Sequence, residues 1–163
     1  MVKCRYMVKD MVKKNEGKKN EDKENKDKKK ILNKKKILRE MFLPFLFFVL
    51  ILIDRLTKIY AREKQINPGA FLGFSFHPYF LLIVSSILII FFLFLYFYEK
   101  NFFIKFGIVF LLAGAVSNFI DRVLYRGIID WINFAFFTFN IADVYFWIGI
   151  AVVVFYLILK KFK

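Results

Sequence analysis

The sequence predicts an all-α integral membrane protein with four transmembrane helices. Three observations carry that expectation. Residues 80–98 run for 19 positions without a charge; at about 1.5 Å per residue, such a helix nearly spans a hydrocarbon core roughly 30 Å thick. Three further stretches approach the same length, and a chain of 163 residues is too short to hide four helices that are apolar all round in a soluble core. The charges are also segregated. Residues 1–40 hold 16 Lys or Arg and 7 Asp or Glu, whereas residues 41–163 hold 11 basic and 6 acidic residues and most of the apolar ones.

Residues 1–37 read as a Lys-rich cytoplasmic tail, disordered or at most a fraying solvated helix, because both signs of charge mix there without an apolar period. Such a tract can meet anionic headgroups or nucleic acid, but beside a span it follows from topology alone, and no nucleic-acid partner is expected. Residues 38–163 read as one membrane domain. Its first span covers 38–59 and carries Asp54, Arg55 and Lys58 towards its far end. Residues 60–78 contain the turn signal Asn67-Pro68-Gly69, then Phe71, Phe74 and Phe76, whose alternation suggests short interfacial strands. The second span is 79–98 and the third 103–123, with Lys105 placed to snorkel. Residues 124–139 hold Trp131, Phe134, Phe136, Phe137 and Phe139, an aromatic link suited to the headgroup layer. The fourth span is 140–159, closed by Lys160, Lys161 and Lys163.

With the N-terminus in the cytoplasm, four spans return the C-terminus there. That side then holds 21 Lys or Arg, and the outer segments only Arg62, Lys64, Arg122 and Arg126, a positive-inside pattern. The single cysteine, Cys4, permits no intrachain disulfide. It has no apolar run before it, as a lipid-modified cysteine would, and a polar tail is a poor place for a nucleophile. The long charged tract shows no sign of a cleavable signal peptide, so the first span reads as an anchor.

The informative side chains are carboxylates. Asp54, Asp121, Asp130 and Asp143 all map to the outer ends of spans or the link beside them, and ionisable groups at membrane depth are costly and usually functional. Asp54 with Lys58, at i and i+4, reads as a helix-surface pair, and Asp121 beside Arg122 as an interfacial ion pair. Asp130, flanked by Ile128, Ile129, Trp131 and Ile132, and Asp143, with no basic neighbour in sequence, resist that reading. On one continuous helix they would lie about 20 Å apart; they meet only if the chain turns back between them. Two carboxylates brought together in a partly desolvated place share one proton. That is the state an aspartic peptidase uses: the carboxylate draws a proton from water and the acid polarises the scissile carbonyl. Gly114, Asn118 and Asp121 fall on one face of the third span. Ala113, Gly114, Ala115 and Ser117 permit close helix packing, and Asn140 is placed to cap the fourth helix.

These residues carry a family resemblance. Asp54-Arg55-Leu56-Thr57-Lys58 resembles the D-x-x-x-K motif of lipoprotein signal peptidases (signal peptidase II). Asn67-Pro68-Gly69-Ala70-Phe71 resembles their N-x-G-A motif, and Gly114 through Arg122 their G-x-x-x-N-x-x-D-R motif. Asp130 in IIDWINF and Phe139-Asn140-Ile141-Ala142-Asp143 complete the set in order over about residues 40–160.

The resemblance implies an aspartic endopeptidase of the bacterial inner membrane, with both termini cytoplasmic, acting as a monomer on diacylglyceryl-modified prolipoproteins and cutting before the lipidated cysteine. Asp130 and Asp143 would be the catalytic dyad. Asp54, Asn67, Asn118, Asp121, Arg122, Asn140 and Ala142 would shape or support the site. The outer segments would form a small extracytoplasmic β-cradle and an interfacial helix against membrane lipid, and the cyclic peptide globomycin would inhibit. No cofactor or metal is implied, and one His with one Cys makes no ligand cluster. His77 lies outside every motif and reads as interfacial. The Lys-rich tail is long for the family and is given no catalytic part. A small transporter or proton channel would place polar groups at several depths, but the inner halves of the second and fourth spans are almost wholly apolar. A non-catalytic scaffold would tolerate Asn at both Asp130 and Asp143.

Overall fold

The computed structural model describes residues 2–61, 65–68, 77–134 and 137–162. In chain order the elements are α1 (Val2–Tyr60), β1 (Gln65–Asn67), α2 (Pro78–Tyr98), α3 (Phe102–Tyr125), β2 (Ile128–Asp130), β3 (Ile132–Phe134), β4 (Phe137–Phe139) and α4 (Ile141–Lys161). The chain forms two compact units, Met1–Met41 and Phe42–Lys163. In the first, α1 runs from Val2; Lys and Glu are strong helix formers whatever their charge pattern.

In the second unit, α2, α3 and α4 are each long and apolar enough to cross a membrane. The apolar stretch of α1 ends in Asp54, Arg55 and Lys58. Pro78 opens α2, where its missing N–H is no loss. Along α2, Ile83, Ile87, Ile90 and Phe94 form an exposed apolar stripe suited to lipid tails. The turn into α3 is held by side chains. Glu99 Oε1 accepts the N–H groups of Lys100 and Asn101, each at 2.7 Å. Asn101 Oδ1 caps α3 by accepting from Phe103 N at 2.9 Å, and its Nδ2 donates to Tyr156 Oη of α4 at 2.6 Å.

α3 is the central helix, packed against both α2 and α4. Val109 and Ala113 of α3 join Leu43 and Leu50 of α1 and Tyr145 of α4 in one cluster; Ile108, Leu111 and Leu112 join Phe92 of α2 in another. Small residues set the α3–α4 spacing. A Cβ on Gly107 would lie 3.0 Å from the Gly149 carbonyl oxygen, and one on Gly114 would collide with the Ala142 carbonyl oxygen. Because that obstacle is backbone at the start of α4, Gly114→Ala is expected to cost about 1–3 kcal/mol as the helices part. Thermal unfolding of the purified variant in detergent measures it.

α3 ends at Arg126, whose φ of 59° turns the chain in the left-handed region. Gly127 then lets β2 lie against β1: a Cβ there would stand 2.8 Å from the Asn67 carbonyl oxygen. β1 and β2 pair antiparallel, with Gln65 opposite Asp130 and Asn67 opposite Ile128. β3 and β4 form a second antiparallel pair, with Ile132 opposite Phe139, and Trp131 N donates to Phe139 O at 3.2 Å. This hairpin doubles the chain back, so Asp130 before it and Asn140 after it become neighbours. Among its described residues the α3–α4 link forms strands and no helix. Its β-branched and aromatic residues, Ile128, Ile129, Trp131, Ile132 and Phe134, favour that conformation. The strands expected around Phe71, Phe74 and Phe76 lie outside the described residues, as do Gly69, Ala70 and Phe71 of the second motif.

Candidate active site

The site is assembled on a buried ionic cluster. Asp54 and Lys58, one turn apart on α1, are 0% and 2% exposed. The expectation of a helix-surface pair is therefore corrected: an ammonium inside an apolar bundle survives only with partners, and α3 brings them. Lys58 Nζ donates to Asp54 Oδ2 at 2.8 Å, to Asp121 Oδ2 at 2.7 Å and to Asn118 Oδ1 at 3.0 Å. An ammonium has three N–H donors, and all three are used. Arg55 adds an ion pair from Nη1 to Asp121 Oδ1 at 2.7 Å and a hydrogen bond from Nη2 to Ser117 O at 3.0 Å. The Asp121–Arg122 pairing expected from adjacency is likewise replaced. Neighbours on a helix point about 100° apart, and Asp121 faces α1. Its Oδ2 also accepts Ile129 N–H at 3.2 Å, which ties β2 to α3.

Asp54 joins three helices. Beyond Lys58, it accepts a hydrogen bond from Ser117 Oγ of α3, and its Oδ1 accepts the N–H of Ala142 at 3.0 Å. That N–H is one of the donors a helix start leaves without an internal partner, and a carboxylate suits the positive end of the helix dipole. Ala142 is fully buried, so a larger side chain has no room there.

Asp130 and Asp143 lie on either side of Asn140. Asp130, 3% exposed at the end of β2, accepts from Asn140 Nδ2 on Oδ1 at 2.8 Å and from Asn67 Nδ2 on Oδ2 at 3.2 Å. Asn67 reaches it because residues two apart on a strand share a face, and its pairing partner is Ile128. Asp143 occupies the first turn of α4 and closes a reciprocal cap with Asn140. Its Oδ2 accepts Asn140 N–H at 3.1 Å, while its own N–H donates to Asn140 Oδ1 at 3.1 Å. Asp143 Oδ1 accepts Asn118 Nδ2 at 2.8 Å, and Asn118 Oδ1 accepts Asn140 Nδ2 at 3.1 Å. The cap and the contact to the second carboxylate are thus made by one fully buried residue, Asn140.

This setting moves the titration of Asp130. Burial, then the nearby Asp143 charge, push it up to about 6, against hydrogen bonds from Asn67 and Asn140 and the charge of Lys58, which favour the ionised form. Arg122, half-buried on α3, adds positive charge near Asp143, Asp121 and Asp130. Among the described residues, no three His, Cys, Asp or Glu side chains gather to hold a metal ion. His77 is exposed and stacks on Tyr79, apart from this cluster. Arg55, Lys58 and Ser117 were not among the site residues expected from sequence. The signal for Lys58 was its depth: a lysine within an otherwise apolar stretch requires buried acceptors.

Three comparisons bear on this arrangement. The family model described as Signal peptidase (SPase) II matches residues 46–159. The chain is 32% identical over 110 residues to a lipoprotein signal peptidase of Bartonella tribocorum, covering 63% of this chain and 65% of the relative. It is 39% identical over 111 residues to one of Buchnera aphidicola, covering 60% and 66%. It therefore spans just under two thirds of the length of these two curated relatives. A solved bacterial membrane enzyme superposes with a TM-score of 0.68 at 24% identity over 74% of this chain and 89% of that one, a likeness of fold.

Proposed function

This chain belongs to the signal peptidase II family, and we propose that it is a membrane-embedded aspartic endopeptidase. Its substrates are diacylglyceryl-modified prolipoproteins, and it removes their signal peptides by cutting just before the lipidated cysteine. The observation that carries this reading is the double engagement of Asn140, by Nδ2 with Asp130 and by main-chain N–H with Asp143. Two acids held on one amide share a proton, and their titration belongs to the pair. The ionised member takes a proton from the attacking water; the protonated member hydrogen-bonds the scissile carbonyl and then returns its proton to the leaving amine. Asn67, Asn118 and Asn140 hold the carboxylates. Asp54, Asp121 and Ala142 hold the helices that carry them, and Arg122 contributes positive charge beside the dyad.

In the membrane, the apolar end of α1 is the fourth span beside α2, α3 and α4, which puts the dyad at the outer face of the bacterial inner membrane with both termini in the cytoplasm. Residues 1–37 form a cytoplasmic tail and 38–163 the peptidase domain, working as a monomer. The two small sheets form a cradle for the substrate at the membrane surface, and globomycin competes for that place. The test uses the purified full chain in detergent with a diacylglyceryl precursor and the same precursor with its cysteine replaced. Cleavage of the lipidated form alone is expected; equal cleavage of both, or of neither, overturns the reading. Deleting residues 1–30 leaves cleavage largely intact, measured per mole of membrane protein.

A pH dependence follows. An acid raised to about 6 keeps its proton up to that pH and loses it above, so cleavage falls as pH rises past about 6 and the dyad is stripped of its shared proton. Asn67→Ala removes a donor that favours the charged form of Asp130, which raises that acid further. The alkaline limb of kcat against pH is therefore expected to move upward in this variant.

A further inference from the structure

The ionic cluster does more than neutralise itself. We propose that Lys58 is a positioning residue for the dyad, fixing the Asn118 side-chain amide so that its Nδ2 is presented to Asp143. This rests on the peptidase reading given above. Asn118 Oδ1 accepts from two donors, Lys58 Nζ at 3.0 Å and Asn140 Nδ2 at 3.1 Å, while its Nδ2 lies 2.8 Å from Asp143 Oδ1. A reversed amide would set its NH2 against two donors and its oxygen against a carboxylate. The surrounding network thus permits one orientation. The ammonium itself cannot drift, because Asp54 and Asp121 hold its other two protons at 2.8 and 2.7 Å and the side chain is 2% exposed. The path from Lys58 to the reacting carboxylate is therefore two hydrogen bonds through one rigid amide. The same charge acts on Asp130, where it favours ionisation. Around Asp130 and Asp143 the charged groups are Asp54, Arg55 and Lys58 from α1 and Asp121 and Arg122 from α3; among the described residues, Lys58 is the one of these five hydrogen-bonded to a side-chain amide that contacts the dyad.

The experiment compares the full chain with Lys58→Met, Asn118→Ala and the double variant. Readouts are kcat and KM on the lipidated precursor per folded molecule, and the infrared titration of the carboxyl groups, which needs no substrate. The expectation is that Lys58→Met lowers kcat about a hundredfold, the loss typical of a small misplacement at the reacting centre, with KM within about twofold. In the Asn118→Ala background, Lys58→Met adds less than about a threefold loss, because the amide through which it acts is gone. The carboxyl titration moves to higher pH in Lys58→Met. If Lys58→Met does not accumulate, the charge-balanced pair Lys58→Met with Asp121→Asn is used, against Asp121→Asn alone. Unchanged kcat and titration per folded molecule, or fully multiplicative losses in the double variant, overturn the proposal. A shifted titration in a protein that cleaves no lipidated precursor supports the positioning role and counts against the peptidase reading instead.

Discussion

Asp130→Asn and Asp143→Asn are each expected to reduce precursor cleavage by at least about a thousandfold, near the upper range for losing a proton-transfer group. Asn matches Asp in shape but cannot exchange the proton, so loss of activity should far exceed loss of fold. The hydrogen bonds set the size of the structural effect. Asp130 accepts amide donors on both oxygens, from Asn140 and Asn67, and Asp143 accepts Asn140 N–H and Asn118 Nδ2. In either variant one oxygen becomes an NH2 that faces a donor, a mismatch of about 1–3 kcal/mol. The proteins should still accumulate, with somewhat lower melting temperatures. Single-turnover cleavage beside thermal unfolding separates the two effects. A variant that cleaves at wild-type rate removes its residue from the dyad.

The second large effect concerns stability. Asp54→Ala is expected to destabilise the fold by about 3–5 kcal/mol, the range for breaking a buried ion pair from one side. Four donors each lose one acceptor at once: Lys58 Nζ, Arg55 Nη2, Ser117 Oγ and the Ala142 N–H. Asp121 still neutralises Lys58 and Arg55, which keeps the loss from being larger. The Ala142 N–H has no such substitute, so the start of α4, which carries Asp143, should loosen first. Asp54→Asn retains an acceptor and should lose less than Asp54→Ala. Unfolding in detergent with increasing denaturant measures both, and a change below about 0.5 kcal/mol, the scale of an ordinary surface substitution, contradicts the account.

Much of this was legible in the residues because the chemistry is unusual for its surroundings. Charges in apolar stretches are rare enough that Asp54, Asp121, Asp130 and Asp143 select themselves, and the i, i+4, i+7 spacing of Gly114, Asn118 and Asp121 already puts them on one face. The Asn140 cap was legible from its place three residues before Asp143. Partnerships across helices were not. Adjacency suggested Asp121 with Arg122, and helical spacing suggested a solvated Asp54–Lys58 pair. The actual partners lie about 60 positions away, where only packing brings them: Lys58 to Asn118 and Asp121, and Arg55 to Asp121 and Ser117. The resemblance implied a cradle and an interfacial helix in the outer segments without dividing them between the two links, while the β-branched and aromatic residues Ile128, Ile129, Ile132 and Phe134 favour the strands that follow α3.

One measurement bears most directly on the claim that the two acids act on one reacting centre. A crystal structure of the full chain would be determined with a lipidated peptide whose scissile carbonyl is replaced by a tetrahedral hydroxyl. This hydroxyl is expected within hydrogen-bond distance of both the Asp130 and Asp143 carboxylates, with Asn140 still bridging them. A hydroxyl that reaches only one of the two, or binds away from both, would contradict it.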